Sequence, residues 1–424
     1  MALVENARCK IEKLNSKGFG EGETEKGRVA LPYLLPGDIV EFERHAYRGK
    51  SNCLIKSYEK GTHPRSDPPC EYFEKCGGCL LQHLTDEDYN NIKLSMITSP
   101  LDSYKIDQYR LNEIVTIPYG NRRRANIEAV KRRDAFYFGF HEHNSFRISD
   151  IDACIALDAD LSRLLIPLKK VIEDILEERQ KAQIFITKAA NGVDLWLEIQ
   201  NVKELEQGKR DLLKQFAISN NLIRLIFRHR KFKDEIYLQH KPYVVFDDVK
   251  VEVDAKCFLQ SSLLSDKILG ELVMNYVGTS GANVADLFCG RGTYTIPISK
   301  YSKVEGFESD KDALTSLGRA IETTERDVEL FRSDLYSMPL KALELQKYDF
   351  CVINPPRSGA KEQIEELAKV KSLKICYVSC NPETFARDAN ILIDNGYVLR
   401  EVTPVDQFYW ASHVELVAYL EKPF

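Results

Sequence analysis

Three cysteines lie close together in the chain at a spacing that suits a bound metal group. Cys70, Cys76 and Cys79 are separated by five and by two residues. The Gly-Gly pair between the last two allows the backbone to turn tightly around a bound group. Thiolates bind zinc and iron–sulfur clusters alike, so the Cys-x2-Cys spacing does not choose between them. Either site would need a fourth ligand, for which Cys154 is the best downstream candidate.

The segment DLFCGRG, residues 286–292, has the pattern of a cofactor-binding turn. It follows a predicted strand, and its glycines permit a close turn against a cofactor. Glu308 ends the next predicted strand, where a carboxylate can accept hydrogen bonds from ribose hydroxyls. The third glycine of a NAD-type GxGxxG turn is absent. This context favours S-adenosylmethionine over a dinucleotide.

Further on, Asn354 opens a rigid Asn-Pro-Pro turn after another predicted strand, where a target group could meet the methyl donor.

One cysteine and one carboxylate are placed to carry out covalent chemistry. Cys380 ends the predicted strand KICYVS, and the helix predicted to start at Pro382 would favour its thiolate through the helix N-terminus. Glu415 lies among apolar residues of the predicted strand HVELVAYL. A thiolate can add to an electron-poor ring carbon and make the neighbouring carbon nucleophilic, after which a base removes a proton. Taken singly, a buried inert thiol or a solvent-facing glutamate would explain either residue.

Together these motifs resemble the RNA uracil-5 methyltransferase family, and most closely its RumA/RlmD type, which acts on 23S ribosomal RNA. The resemblance covers nearly the whole chain and includes FLQ at 258–260, DLFCGRGTYT, NPPRSG, SCNPETFARD and HVELV. It implies that Cys380 is the nucleophile toward uracil C6 and that Glu415 accepts the C5 proton. It also implies a [4Fe-4S] cluster on Cys70, Cys76, Cys79 and Cys154, and S-adenosylmethionine contacts from Gln260, Phe288, Thr293, Glu308, Asp334 and Asn354.

The chain departs from the family pattern at three places. Asn354 stands where the family commonly has Asp, so a contact that needs a full negative charge is in doubt there. Ser262 replaces an Asn expected after Gln260. Residues 406–411 read DQFYWA where the family tends to Asp-x-Phe-Pro-x-Thr, so the local loop geometry is expected to differ.

Other functions are compatible with parts of this pattern. A tRNA uridine is an alternative target. An amino-group RNA methyltransferase would also use an Asn-Pro-Pro turn beside the methyl donor, but without a covalent adduct. A non-catalytic RNA-binding or folding factor could retain the scaffold. The last two leave Cys380 and Glu415 together unexplained.

Composition and charge fit a soluble protein that acts on RNA. The chain has 424 residues, 44% of them hydrophobic and 29% charged, which predicts two to four globular domains. No apolar run is long enough for a membrane helix, and the first residues lack the order of a secretory signal, so we expect a cytoplasmic enzyme with no membrane partner and no obligate protein partner. The net charge of −5 does not by itself indicate nucleic-acid binding. Basic residues cluster at 44–50, 122–124, 131–133 and 224–233, the last with interleaved aromatics. Any single cluster is typical of a solvated face, but several in one chain favour a surface that contacts RNA phosphates and bases.

The order of predicted elements indicates three domains. Residues 1–60 show short strands around glycine-rich turns and resemble the TRAM domain, an OB-like RNA-binding β-barrel. Residues 61–250 mix strands and helices, which predicts an α+β central domain carrying the iron–sulfur cluster. Residues 251–424 alternate apolar strands with amphipathic helices, which predicts an α/β Rossmann-like S-adenosylmethionine-dependent methyltransferase domain.

Overall fold

Five antiparallel strands form the N-terminal part of the protein. The computed structural model describes residues 3–47, 50–230, 232–254 and 256–423, so Arg48 and Lys231 of the predicted basic clusters lie outside the described residues. The sheet has the order β3-β2-β1-β4-β5 and encloses a small core that includes Ile11, Leu34 and Phe42. Its strands are β1 Leu3–Leu14, β2 Gly20–Thr24, β3 Gly27–Leu31, β4 Ile39–Tyr47 and β5 Lys50–Glu59.

A helix and two short strands follow: α1 Asp86–Ser103, β6 Arg110–Leu111 and β7 Val115–Thr116. Thr85 caps α1, since its side chain accepts a hydrogen bond from the backbone N–H of Asp88. The first turn carries three acidic residues, which suit the positive end of the helix dipole.

A seven-stranded sheet with two helices on one face forms the centre of the chain. Its order is β10-β9-β8-β11-β12-β13-β14, with β12 and β13 parallel and the other pairs antiparallel. The first helix buries leucines at helical spacing against the sheet, including Leu161, Leu165 and Leu168. The elements are β8 Arg124–Arg132, β9 Ala135–His141, β10 Ile148–Asp150, α2 Ala159–Ile175, β11 Lys181–Ala189, β12 Gly192–Ile199, α3 Gln207–Ser219, β13 Leu222–His229 and β14 Phe232–Leu238.

The C-terminal part is a doubly wound α/β layer structure. A hairpin precedes it, and its central strands are parallel. The elements are β15 Tyr243–Phe246, β16 Val249–Glu252, α4 Leu263–Val277, β17 Asn283–Leu287, α5 Thr295–Ser299, β18 Lys303–Glu308, α6 Lys311–Ile321, β19 Val328–Arg332, α7 Ala342–Leu345, β20 Phe350–Ile353, α8 Lys361–Leu367, β21 Lys374–Ser379, α9 Pro382–Asp394, β22 Val398–Asp406 and β23 Glu415–Glu421.

The strand order of this sheet is β19-β18-β17-β20-β21-β23-β22-β6, with β23 antiparallel between β21 and β22. Successive residues of β17, Val284 and Ala285, belong to hydrophobic cores on opposite faces, as do Val352 and Ile353 of β20. Helices therefore cover both faces. The predicted Rossmann-like α/β fold is confirmed in this part of the chain.

Some elements of the predicted central domain pack against strands and helices of the C-terminal part. β6 and β7 pair in parallel with β22, and α1 packs against α9, although all three lie within the predicted central domain. The hairpin β15–β16 packs on α6. The predicted boundaries after residues 60 and 250 stay predictions. None of the helices in the described ranges is both long and apolar enough to cross a membrane.

Candidate active site

Three predicted site residues follow neighbouring parallel strands at one edge of the sheet. Phe288 follows β17, Asn354 follows β20 and Cys380 follows β21. β17 pairs with β20 and β20 with β21, all in parallel, so their carboxyl ends lie side by side. Ligands of doubly wound sheets bind beyond this edge. The structure thus brings the predicted cofactor turn and the predicted nucleophile to the same side of the sheet.

The turn after β17 is held together by Glu308. Its Oε2 accepts a hydrogen bond from the Gly290 N–H at 3.1 Å, and its Oε1 accepts from the backbone N–H groups of Ser309 and Asp310 at 2.7 and 2.8 Å. Gly292 has φ +90°, and a Cβ there would lie 2.5 Å from a methyl carbon of Leu317, so only glycine fits. A ribose would have to use the lone pairs of Glu308 that remain free.

Two further predicted cofactor residues lie near this turn. The Phe288 ring is 5.5 Å from that of Tyr336, and Asp334 lies two residues before Tyr336. Asp334 is exposed, and it accepts hydrogen bonds from the Ser337 hydroxyl at 2.9 Å and from the Tyr336 N–H at 3.1 Å. These bonds stabilise the carboxylate and lower the pKa of Asp334. Phe288 follows β17, Glu308 is the last residue of the adjacent β18, and Asp334 comes shortly after β19.

Thr293 and the predicted nucleophile border different cavities. Thr293 borders a cavity of about 610 Å³ near α4 and α5, together with Asp266 and Lys300. Cys380 borders a different cavity. The neighbouring Thr295 was not predicted, but its hydroxyl donates a hydrogen bond of 2.5 Å to the fully buried Asp286. Burial raises the pKa of Asp286 to about 7.

Cys380 lies between β21 and α9, half-buried, on the wall of a second cavity of about 610 Å³. Asn381 caps the helix, accepting from the Glu383 N–H at 3.2 Å. The helix N-terminus was expected to favour the thiolate, but burial raises the pKa of Cys380 to about 11, and the nearby Glu415 adds to the rise while Arg357 opposes it. Desolvation outweighs the helix end, so the resting group at neutral pH is the thiol.

Glu415 is the first residue of β23 and is only 2% exposed. Its side chain faces the protein interior, so the solvent-facing alternative is wrong. Burial raises the pKa of Glu415 to about 8, against the lowering effects of a hydrogen bond from Gln407 and of the Arg357 charge. A carboxyl group with this pKa can exchange a proton near neutral pH, as a general base must.

Gln407 joins Glu415 to the predicted cofactor side of the site, and it was missed in the sequence. Its Nε2 donates to Glu415 Oε2 at 2.7 Å and to Gln260 Oε1 at 3.2 Å. Its Oε1 accepts from the Ser261 hydroxyl at 2.8 Å. The buried chain of hydrogen bonds fixes the carboxylate. The sequence signal that could have identified Gln407 is an uncharged amide at the end of a buried strand, within the variant DQFYWA segment.

Comparison with known sequences decides the family. A sequence model described as tRNA (Uracil-5-)-methyltransferase matches residues 88–423, which is most of the chain. A model described as the TRAM domain of tRNA (uracil(54)-C(5))-methyltransferase matches residues 7–58.

The chain belongs to the RNA uracil-5 methyltransferase family. It is therefore an S-adenosylmethionine-dependent RNA (uracil-5)-methyltransferase, and the TRAM domain predicted at its N-terminus is confirmed.

Individual relatives align over their full length. The methyltransferase is 33% identical over 425 residues to an uncharacterized RNA methyltransferase of Brucella suis biovar 1, covering 100% of this chain and 99% of the relative. It is 28% identical over 429 residues to the 23S rRNA (uracil(1939)-C(5))-methyltransferase RlmD of Shewanella amazonensis, covering 99% and 96%. The crystal structure of the Pyrococcus abyssi tRNA (uracil-54, C5)-methyltransferase in complex with S-adenosyl-L-homocysteine shares the fold, with a TM-score of 0.72, 24% identity and coverage of 97% and 100%.

The four predicted metal-binding cysteines of the methyltransferase border the cavity that Cys380 borders: Cys70, Cys76, Cys79 and Cys154. Burial raises the pKa of Cys76 to about 11 and that of Cys79 to about 12. Within the described ranges, however, no three His, Cys, Asp or Glu side chains are arranged to hold a metal ion. The iron–sulfur part of the predicted central domain therefore has no direct support from the structure.

The loop between β22 and β23 of the methyltransferase is held by a buried lysine of α1. Lys93 is fully buried and its Nζ lies 2.7 Å from Asp406 Oδ1. The same ammonium donates hydrogen bonds to the backbone oxygens of Phe408, Ala411 and His413 at 3.1, 2.8 and 2.7 Å. This is how the variant sequence DQFYWA keeps a defined geometry without the proline of the family pattern. The lysine was another residue that the sequence reasoning missed.

Proposed function

We propose that the methyltransferase methylates C5 of a uridine in 23S ribosomal RNA through a covalent bond between Cys380 Sγ and uracil C6. The observation that carries this proposal is the pair formed by Cys380, which borders a cavity, and Glu415, which is buried and close enough to raise the pKa of that thiol. Methylation of C5 needs a nucleophile and a base, and these two residues supply both.

The reaction begins when Cys380 releases its proton to solvent and the thiolate adds to C6. The electron pair of the C5=C6 bond moves toward C5 and the C4 carbonyl, giving an enolate. Bound S-adenosylmethionine supplies an electrophilic methyl group and leaves as S-adenosylhomocysteine. After C5 has taken the methyl group, Glu415 removes the C5 proton. The C–H electron pair restores the C5=C6 bond, the C6–S bond breaks, and the Cys380 thiolate is regenerated.

Other residues of the chain would support these steps. Gln407 holds the Glu415 carboxylate in one orientation by its 2.7 Å hydrogen bond, and the Arg357 guanidinium lowers the pKa of the Cys380 thiol. Asn354 would present an amide to the edge of the uracil, accepting from N3–H or donating to O4. We propose that methyl-donor contacts come from Gln260, Phe288, Thr293, Glu308, Asp334 and Asn354.

The full-length similarity to the Shewanella 23S ribosomal RNA enzyme supports a ribosomal target, and an RNA-modifying enzyme is expected in the cytoplasm. The family model is described by a tRNA activity, so tRNA is the second candidate. The test is to map 5-methyluridine in ribosomal and transfer RNA from a strain that lacks the gene. We expect one 5-methyluridine to disappear from 23S RNA. Loss from tRNA would move the target there, and an unchanged map would refute C5 methylation.

We further propose that Cys70, Cys76, Cys79 and Cys154 hold a [4Fe-4S] cluster. The four cysteines border one cavity, and four cysteine thiolates are the usual ligands of such a cluster. When bound, the cluster supplies a rigid crosslink between residues 70–79 and 154. The measurement is iron and acid-labile sulfide in anaerobically purified protein. We expect near four of each per chain and loss of both in C154S, while zinc without sulfide would contradict the cluster.

A further inference from the structure

Three aromatic side chains lie together at the cavity that Cys380 borders. The rings of Tyr119 and Trp410 are stacked, with centroids 4.6 Å apart and an interplanar angle of 22°. Tyr409 contacts Trp410 edge-on, with centroids 4.9 Å apart. Tyr119 and Tyr409 both line the cavity. Tyr119 comes from the segment before β8 and the other two from the loop between β22 and β23, so the chain brings them together from distant positions.

The backbone around Trp410 is strained and firmly held. Trp410 has φ +61°, which is unusual for a bulky residue. Its carbonyl oxygen accepts hydrogen bonds from the N–H groups of Leu80 and Leu81 at 2.8 and 3.0 Å, and its own N–H donates to the Tyr89 hydroxyl at 2.9 Å. Such strain persists only where surrounding contacts impose it, and it concentrates at functional sites. These contacts fix the indole ring behind Tyr119.

Tyr119 remains open to a ligand despite this support. It is 51% exposed, although one side of its ring packs on Trp410. Arg122, three residues further on, lines the same cavity, as does Arg357. A rigid aromatic face beside guanidinium groups suits an unpaired base of a nucleic acid strand, because the ring stacks on the base and the cations attract its phosphates.

We propose that the exposed face of Tyr119, backed by Trp410, stacks on an unpaired nucleobase next to the target uridine. The proposal rests on the proposed function, which puts the target uridine in the cavity of Cys380. Turning that uridine out of a base stack leaves its neighbour without a stacking partner. Tyr119 then replaces the lost partner. Every base has a π face, so this contact adds affinity and position without selecting a sequence.

The test measures stacking directly and does not depend on methyl transfer. The probe is a single-stranded RNA 12-mer with one central uridine flanked on both sides by the fluorescent base 2-aminopurine, whose emission falls when it stacks. The RNA is titrated with the full chain carrying Cys380→Ala, without S-adenosylmethionine. We expect quenching of the fluorescence. Adding Tyr119→Ala should remove most of the quenching and raise Kd about tenfold, within the range known for base–aromatic stacking.

Conservative and matched variants separate stacking from structural damage. Tyr119→Phe and Tyr119→Trp should retain the quenching, because both keep an aromatic face. Tyr104→Ala removes another exposed tyrosine, at the far end of α1, and should change neither quantity. Quenching that survives Tyr119→Ala, or no quenching with Tyr119 present, overturns the proposal. The quenching measurement does not involve methyl transfer, so its result is valid even if methylation proves not to occur at uridine C5. Failure of the stacking proposal and failure of the proposed function can therefore be distinguished.

Discussion

The cofactor turn and the loop between β22 and β23 are built in opposite ways. In the turn that follows β17, the Gly290 N–H donates to Glu308, the last residue of β18 and 18 positions later, which also accepts from its two following residues. In the loop, residues 406–413, the anchoring groups come from α1: Tyr89 donates to Asp406 at 2.5 Å across 317 positions, and Lys93 binds three loop carbonyls. The turn is therefore held by residues that are near it in the chain, whereas the loop is held by a helix that is far from it in the chain.

We expect the turn and the loop to affect different steps of the reaction. The turn can form whenever the sheet forms, so changes there should affect the binding of the methyl donor. The loop carries Gln407, which holds Glu415, so changes in its anchor should affect the chemical step. Kinetic measurements on variants of each region can therefore test whether the turn and the loop act on separate steps.

Cys380→Ala gives the largest expected effect. Without the thiol no bond forms to C6, so C5 methylation should fall below detection, while binding of S-adenosylmethionine stays unchanged. The measurement is methyl transfer to RNA transcribed without modifications, together with a gel assay for a covalent complex with RNA that contains 5-fluorouridine. Cys53→Ala, in β5 of the TRAM domain, is the matched control and should retain full activity. Retained C5 methylation in Cys380→Ala would refute the covalent bond between Cys380 and uracil C6.

Glu415→Gln should lower kcat by about 10²- to 10⁴-fold, the usual contribution of a general base, while making the protein more stable. The pKa of Glu415 is raised from its ordinary value to about 8, so the folded state loses stability as pH rises from about 4.5 through about 8. That loss is on the order of 3 kcal/mol at pH 7. The uncharged glutamine avoids it.

The check is thermal unfolding at pH 5 and at pH 8. The variant should exceed the wild type in Tm by several degrees at pH 8 and by little at pH 5, when both are measured without ligands. For the wild type, kcat/KM should rise steeply with pH up to about 8, because only ionised Glu415 accepts the C5 proton, and less steeply above it, because the Cys380 thiol with its pKa of about 11 must also ionise. Equal Tm values at both pH values would show that Glu415 is not buried as described.

Locally encoded features of the fold and site could be predicted from the sequence. Strand and helix alternation identified the methyltransferase sheet, and the glycines at 290 and 292 identified a turn that the structure builds with positive φ. Cys380 was predicted because it ends the strand KICYVS, and Glu415 because it is a carboxylate among the apolar residues of HVELVAYL; their catalytic roles stay predictions. Such features depend on residues that are neighbours in the chain, and their patterns can be read directly.

Features that depend on distant contacts could not be read in the same way. Nothing near Lys93 indicates that this lysine is fully buried, since lysines are ordinarily exposed and its partners come more than 300 residues later. The high pKa of Cys380 follows from burial among residues of several strands, whereas the sequence shows only the helix start. Gln407 was passed over because its partners Gln260 and Glu415 are joined only by folding.

Lys93→Met tests the anchor of the loop. It leaves Asp406 as a buried carboxylate without its cation, which typically costs about 3–5 kcal/mol of stability, and it frees three loop carbonyls. We expect a lower Tm and a lower kcat, with little change in KM for S-adenosylmethionine. Adding Asp406→Leu removes the stranded charge and should restore part of the stability without restoring kcat. If the double variant recovers full kcat, the loop does not position Gln407 and Glu415.

Glu308→Gln gives the complementary result for the turn and the smallest expected effect. The carboxylate accepts three backbone hydrogen bonds, from Gly290, Ser309 and Asp310, and a glutamine amide would turn donors toward at least one of these N–H groups. A mismatch of this kind costs about 1–3 kcal/mol, which, if it falls on methyl-donor binding, raises the KM for S-adenosylmethionine by about 5- to 150-fold. Because Glu415 and its loop are untouched, kcat at saturating S-adenosylmethionine should change little. A variant that lowers kcat and leaves KM unchanged would mean that the turn and the loop are coupled, and the separation of methyl-donor binding from proton transfer would then fail.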